Sequence, residues 1–231
     1  MGEISVFDVM GPNMIGPSSS HTAGALRIAF LAGSLAKGKI TDVTFILYGS
    51  FARTYQGHGT DRALVAGILG YETDDERIRD AFSYAKEVGL HYEFVKDFEN
   101  KEVHPNTVDI EVRCEDGSIV TMRGVSIGGG NAVIRQLNGI DMEITGKTPT
   151  VIIKHWDKKG VLAYITKEFS DGDLNIGALK LYREGKGQIA YAIVEVDGNV
   201  SEEILQKLEN QKDTCLVMYI PKLESRESDE F

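Results

Sequence analysis

The sequence predicts an α/β chain of the α+β kind, arranged as two domains in series. Three observations carry this expectation. Apolar helical stretches alternate with an apolar strand in the first third, a strict period-two pattern runs from Val108 to Arg123, and after Thr150 the elements follow the order βαββαβ. The chain has 231 residues and 42% hydrophobic content, enough for one large domain or two small ones with a sizeable core.

Taken in order, the first element starts at Gly16-Pro17-Ser18-Ser19-Ser20-His21-Thr22-Ala23-Gly24, a polar loop that feeds the apolar run 25–32. This reads as the entry to a buried helix, with serines placed to cap it and first-turn N–H groups able to receive an anion. A cap needs one Ser, Thr, Asp or Asn. Three serines followed by His and Thr exceed that need, and point to a carboxylate or phosphate held against His21, a proton carrier near neutral pH. Residues 40–48 read as a strand ended by Gly49-Ser50. A second glycine-bracketed loop, with Gly57-His58-Gly59-Thr60-Asp61, runs into a helix over 62–69 that Thr60 or Asp61 could cap. Thr73-Asp74-Asp75-Glu76 has the form of a capping box, starting a helix to Val88 with Ile78, Ala81, Phe82 and Ala85 on its buried face.

Residues 108–114 alternate, turn at Glu115-Asp116-Gly117 and return through 118–123, a hairpin pattern. Ser126-Ile127-Gly128-Gly129-Gly130-Asn131 reads as a third flexible loop and Asn138-Gly139 as a second hairpin turn. Gly146-Lys147-Thr148-Pro149 reads as a linker, giving domains over 1–146 and 150–222 and a charged, aperiodic tail over 223–231. In the second domain the predicted strand 151–154, turn 155–160, helix 161–169, strands 175–182 and 188–196, helix 200–208 capped by Ser201, and strand 215–220 make a ferredoxin-like sandwich.

The balance of 25 Lys and Arg against 35 Asp and Glu, net −10, with no basic cluster, argues against nucleic acid and anionic membrane surfaces as partners. No apolar run approaches the ~18 residues of a membrane span. The first residues carry neither a basic n-region nor an apolar h-region, so a cytoplasmic protein is expected. The two cysteines, Cys114 and Cys215, lie far apart in strand-like patterns and are expected to be buried thiols. They are too few for an iron–sulfur cluster, which takes three or four thiolates, or for a zinc site of spaced cysteine pairs.

His21 and His58 share a setting: each sits in a glycine-bracketed polar loop beside hydroxyl donors and ahead of an apolar helix. That pattern favours general acid–base work for at least one of them. No acidic residue adjoins His21, and no Gly-x-Ser-x-Gly elbow is present, so a serine nucleophile at Ser20 has little support. His104-Pro105-Asn106 opens a strand and serves equally as a turn or a binding element. The Gly128-Gly129-Gly130 run could cradle an anion, but it lacks a Walker lysine and is not a nucleotide loop. In the second domain Asp157 and Gly160 shape the strand-to-helix turn and Asn175 re-enters the sheet. His91 and His155 have no evident partner and are expected at the surface or an interface.

Ser5-Val6-Phe7-Asp8-Val9-Met10-Gly11-Pro12, Gly16-Pro17-Ser18-Ser19-Ser20-His21-Thr22, Gly57-His58-Gly59-Thr60-Asp61, His104-Pro105-Asn106 and Ser126-Ile127-Gly128-Gly129-Gly130 occur in this order. Together they closely resemble the β subunit of the two-subunit, iron–sulfur-dependent bacterial L-serine dehydratases, over about residues 4–144. Residues 150–222 resemble an ACT domain, a small regulatory module that binds amino acids, with Lys159 where such turns more often carry proline. The resemblance implies a lyase of amino-acid catabolism and gluconeogenesis that deaminates L-serine to pyruvate and ammonia, with a 4Fe–4S cluster and no pyridoxal phosphate. It implies that the cluster sits on a separate α subunit, in keeping with the cysteine count. It implies His21 as the proton-transfer residue and His58 as the second acid–base or binding residue. The substrate would be held by Ser18, Ser19, Ser20 and Thr22, with Gly57, Thr60, His104, Asn106, Gly128 and Gly129 as further candidates. Asp157, Gly160 and Asn175 become candidate ACT ligands, and the ACT sheet a candidate dimer interface. The alternative is a non-catalytic, amino-acid-sensing regulatory subunit.

Overall fold

A computed structural model describes residues 14–100 and 102–222; the motif at 5–12 and the tail at 223–231 lie outside the described residues. The chain divides into two compact units between Thr145 and Gly146.

The first unit opens with a π-helical turn, Ser19–Ala23, that runs into α1 (Gly24–Ser34). There follow β1 (Ile40–Tyr48), α2 (Gly49–Thr54), α3 (Thr60–Ile68), a 3-10 turn (Glu76–Asp80), α4 (Ala81–Glu87) and β2 (His91–Asp97). Four more strands complete it: β3 (Thr107–Cys114), β4 (Ile119–Gly128), β5 (Asn131–Leu137) and β6 (Ile140–Ile144). They form one sheet in the order β2-β1-β3-β4-β5-β6, parallel between β1 and β2 and antiparallel elsewhere. The apolar run predicted to enter a helix does so: Leu26, Ile28, Leu31 and Ala32 of α1 are buried, as are Phe45, Leu47, Val108 and Ile110 of the sheet.

Glycines set the spacing of these layers. A Cβ at Gly124 would lie 2.1 Å from the Ile28 side chain, so β4 and α1 meet with no side chain of β4 between them at that point. A Cβ at Gly67 would lie 2.3 Å from the carbonyl oxygen of Leu26, so α3 lies directly against the α1 backbone.

Several local expectations fail in this unit. The periodicity gives no element over 91–97, where the structure has β2. It is a half-exposed edge strand whose Phe94 stacks on Phe45 with ring centroids 5.1 Å apart. Its mixed charge hides the alternation, and aromatic stacking on its neighbour replaces a continuous apolar face. The helix expected from the capping box to Val88 is split into a 3-10 turn and a shorter α-helix. Asp75 is the cap, accepting from the Arg77 N–H at 2.9 Å while also holding the Arg77 guanidinium, and the chain makes a 3-10 turn before α4. An Asp that bonds the backbone two residues on competes with α-helical entry. Neither Thr60 nor Asp61 caps α3: Gly59, at φ 68°, occupies that position and Thr60 lies buried inside the first turn. The loop expected over 126–131 is instead the tight turn of the β4–β5 hairpin, made possible by positive φ at Gly128, Gly129 and Gly130.

The second unit contains β7 (Thr150–Trp156), α5 (Val161–Asp171), β8 (Ile176–Arg183), β9 (Ile189–Val196), α6 (Glu202–Glu209) and β10 (Thr214–Ile220). The sheet order is β10-β7-β9-β8, antiparallel throughout, which is the ferredoxin-like arrangement expected from the βαββαβ order. Val151, Ile153, Ala192 and Val194 of the sheet pack with Val161, Ile165 and Phe169 of α5 and with Ile204 and Leu208 of α6. The Ser201 hydroxyl caps α6 by accepting from the Ile204 N–H at 3.4 Å. Two expectations are corrected here. His155 is 1% exposed rather than at a surface, its Nδ1 bonded to the Trp156 carbonyl at 2.8 Å, because it follows Val151 and Ile153 on the same face of β7. Cys215 is exposed, while Cys114 is buried as expected.

Among the described residues no helix is long and apolar enough to cross a membrane.

Candidate active site

His21 and His58, 37 positions apart in sequence, come together with ring centroids 4.9 Å apart. The geometry follows from two loops tied at their helix starts. Ser18 stands at the N-cap of the π turn, its hydroxyl accepting from the His21 N–H at 3.2 Å. The turn closes with the Gly24 N–H donating to the Ser19 carbonyl, a five-residue ring of the kind that concentrates at functional sites. Thr22, one residue on, is buried and donates its hydroxyl proton to the His58 carbonyl oxygen at 3.1 Å. That bond fixes the second loop on the first.

The His21 imidazole is held on three sides. Its Nε2 lies 2.9 Å from the Ser50 hydroxyl, its Nδ1 lies 3.4 Å from the Ser18 hydroxyl, and its ring meets Phe51 edge-on at 5.3 Å. Burial, then the neighbouring His58 imidazole, push the His21 pKa below its ordinary value of 6.5. His21 is therefore neutral at physiological pH and has a lone pair to take a proton. Burial raises Asp61, at the start of α3, against the opposing Arg62 N–H.

A ring of backbone bonds supports this pair. Ser50 and Phe51 N–H groups donate to the Pro105 carbonyl at 2.7 and 3.3 Å, and the Ser126 N–H donates to the Asn106 carbonyl at 3.0 Å. The His104 Nδ1 accepts from the Asn106 N–H at 3.2 Å, so the His104-Pro105-Asn106 segment is a folded turn seated against α2 and β4. The Thr60 and Ser126 hydroxyls are fully buried with no hydrogen-bond partner among the described residues. Ser126 lies under Gly24, where a Cβ would come within 2.1 Å of its Oγ.

Of the residues singled out in sequence, Ser18, Thr22, His21 and His58 meet in one cluster. Ser19 and Ser20 lie within the π turn, and Gly57 is exposed in the second loop. Asn106 joins the cluster's frame through its carbonyl, and Gly128 and Gly129 form the hairpin turn that follows Ser126. Sequence reasoning missed Ser50, the hydroxyl partner of His21. A Gly-Ser pair at the carboxyl end of a buried strand was the available signal, since ligands gather at strand ends in α/β folds.

In the second unit Asp157 accepts from the Arg183 guanidinium and from the Gly187 N–H at 2.9 Å, and the Arg183 contact holds its carboxyl below the usual range. Gly160, at φ 88°, starts α5, and the Asn175 amide donates to Asp197 at 2.6 Å.

Among the described residues no group of three or more His, Cys, Asp and Glu side chains could hold a metal ion. Cys114 and Cys215 lie in different units, and the described residues form no ligand set for an iron–sulfur cluster.

Residues 5–137 match the family described as serine dehydratase beta chain. The chain is 43% identical over 205 residues to a probable L-serine dehydratase, beta chain, of Bacillus subtilis (strain 168), spanning 88% of this chain and 92% of that one. It is 42% identical over 204 residues to the L-serine dehydratase, beta chain, of Peptoniphilus asaccharolyticus, with the same 88% and 92% spans. L-serine dehydratase 2 of Escherichia coli (strain K12) is 32% identical over 149 residues, 55% of this chain and 32% of that one. With the family match covering both histidine loops and the relatives matched along most of their length, the chain belongs to the serine dehydratase β-chain family.

Proposed function

We propose that this chain is the β subunit of an L-serine dehydratase, an L-serine ammonia-lyase that works with an iron–sulfur-binding α subunit in the cytoplasm. The observation that carries the reading is the tied pair of histidine loops, with a neutral His21 held between two hydroxyls and facing His58.

In this reading the α subunit holds the 4Fe–4S cluster, which supplies an electrophilic iron for the departing hydroxyl; this chain supplies proton handling and substrate placement. His21 takes the proton from the serine Cα, the electron pair moves into a Cα–Cβ double bond, and the β-hydroxyl leaves. The enamine tautomerises to an imine, and water then releases ammonia and pyruvate. Neutral His21 is in the protonation state a base needs, and Ser50 fixes the imidazole by its Nε2 contact. His58, 4.9 Å away ring to ring, is placed to relay or return a proton. Ser18, Ser19, Ser20 and Thr22 bracket the carboxylate position, and Gly57, Thr60, His104, Asn106, Gly128 and Gly129 frame it. The second unit we assign as an ACT module that pairs chains through its sheet, with its ligand position at the turn carrying Asp157, Gly160 and Asn175.

The test is anaerobic co-expression with the α subunit. The assembled enzyme is expected to form pyruvate from L-serine, and His21→Ala to lower kcat by about 10²–10⁴-fold with the assembly and the fold retained. An assembled His21→Ala enzyme with near-normal turnover would overturn the assignment, and turnover by the α subunit alone would make this chain regulatory.

A further inference from the structure

We infer that Asp109 is a positioning residue for proton transfer, fixing through Tyr48 and the Pro105 segment where the Ser50 hydroxyl meets His21; this rests on the serine-deaminating reading above and names what holds the base's partner in place. Asp109 lies on β3, directly across from Ile46 of β1 and Arg123 of β4. Its Oδ1 accepts from Arg123 Nε and its Oδ2 from Arg123 Nη2, each at 2.6 Å, a bidentate pair. The same Oδ2 accepts from the Tyr48 hydroxyl at 2.8 Å, and the Arg123 guanidinium stands 5.5 Å from the centre of the Tyr48 ring. Tyr48 is buried. Burial, then the bond to Asp109, push its pKa up to about 12, so the phenol remains a donor across the physiological range. An Arg–Asp pair across two strands needs no more than sheet reinforcement to explain it. The third member, at the end of β1, asks for more.

What these strands carry at this end gives the cluster its use. Tyr48 is the last residue of β1, and the chain passes through Gly49 to Ser50. Ser50 in turn rests on the segment that leads into β3. Its N–H donates to the Pro105 carbonyl at 2.7 Å, and a Cβ at Gly49 would lie 2.6 Å from Pro105 Cα. Two things therefore set where Ser50 stands, the end of β1 and the start of β3. Asp109 is bonded to the first and belongs to the second. Its pair with Arg123 adds β4, whose Ser126 N–H is tied to the Asn106 carbonyl at 3.0 Å. From this seat the Ser50 hydroxyl reaches His21 Nε2 at 2.9 Å, and Phe51, the next residue, meets the imidazole edge-on. Along each strand successive side chains alternate, so Tyr48 and Asp109 lie on the face opposite the buried Leu47 and Val108. Asp109 thus acts on His21 through Ser50 and its seat rather than by contact.

The experiment uses the assembled αβ enzyme carrying Asp109→Asn, Tyr48→Phe or Ser50→Ala, and each of the first two combined with Ser50→Ala. In the single variants kcat is expected to fall about 30-fold for Asp109→Asn and about fivefold for Tyr48→Phe, with KM for L-serine within about twofold of the parent. A group that works through Ser50 has little left to lose once that hydroxyl is gone. In the Ser50→Ala background either change should therefore lower kcat by less than about twofold. Simple support of the fold predicts losses that multiply. A second readout needs no turnover: in this chain alone, Asp109→Asn should move the His21 Nε2 resonance in the same direction as Ser50→Ala does. Multiplying losses, a kcat within about twofold of the parent in both single variants, an effect confined to KM, or an unmoved Nε2 resonance overturns the inference. If Asp109→Asn does not fold, the Tyr48→Phe pair of variants decides, since Asp109 keeps both Arg123 bonds there. A parent enzyme that never deaminates serine defeats the functional reading itself, and the resonance still tests Asp109.

Discussion

In the first unit the Thr60 and Ser126 hydroxyls are buried without a partner among the described residues. The polar turn of the second unit is arranged the other way. Asp157 meets Arg183 and the Gly187 N–H, Asn175 meets Asp197, and Lys158 meets Asp213 at 2.6 Å. Its orphaned atoms, His155 Nε2 and Thr214 Oγ1, are instead cross-strand neighbours inside the sheet, since Thr214 pairs with His155 in register. Unused hydrogen-bonding capacity lies next to the proposed chemistry in one unit and within the packed interior in the other. The first pattern sets buried, unpartnered polar atoms beside the histidine loops; the second is a stitched turn above a core with a local imperfection.

The comparison breaks most sharply at the histidines. His58→Ala is expected to lower turnover of the assembled enzyme by about 10²-fold or more, whereas Asp213→Asn, which removes an ion pair of the second unit, lowers melting temperature slightly and leaves turnover alone. Steady-state kinetics beside thermal melting checks both. Next in size, Gly67→Ala forces a methyl against the Leu26 carbonyl and is expected to cost about 1–3 kcal/mol in urea unfolding. The matched pair Thr60→Val and Thr214→Val sharpens the contrast further. Each removes a buried orphan hydroxyl at constant shape, so each should be neutral or stabilising by up to about 1 kcal/mol. Thr60→Val alone should reduce turnover; equal kinetics in the two variants would remove the distinction drawn between the units.

The smallest expected effect is a pH dependence of stability. The His21 pKa in the folded chain lies below the ordinary 6.5, through burial first and His58 second. Between those two values the unfolded chain binds more protons, so stability falls as pH drops through 6.5 toward the folded value and is flat above. His21→Gln should remove that slope in a urea titration series. The same deprotonation predicts an acid limb of kcat/KM below pH 6.5 in the assembled enzyme.

Much of this was legible before any coordinates. The apolar run after Gly24, the 40–48 strand, the alternating hairpin and the βαββαβ order each carry their own periodicity, and the elements form where that periodicity puts them. The two histidine loops could be recognised because glycine and hydroxyl residues crowd around each. What stayed hidden depended on neighbours distant in sequence. Strand β2 draws its stability from Phe45 and Phe82 rather than from its own pattern. Ser50 becomes a histidine partner because strand β1 ends beside the π turn, and no spacing along the chain encodes a 29-residue separation. The burial of His155 follows from its register on β7, which is visible only once Val151 and Ile153 are known to face the helices.

Gly67 sits one helix length away from the proposed chemistry and is mechanically coupled to it through α3. With a rise of 1.5 Å per residue, it lies about 10 Å along α3 from Thr60, where the His58 loop begins. The contact with Leu26 acts as a fulcrum near the far end of that rod. A tilt of about three degrees there would carry the His58 end sideways by about half an ångström, and shifts of about 1 Å at reacting groups can cost 10²-fold in rate. The spacing of the two imidazoles thus depends on the α1–α3 backbone contact as well as on the Thr22–His58 hydrogen bond. Tuning of this enzyme by mutation should therefore act through the α1–α3 crossing as readily as through any residue in reach of the substrate.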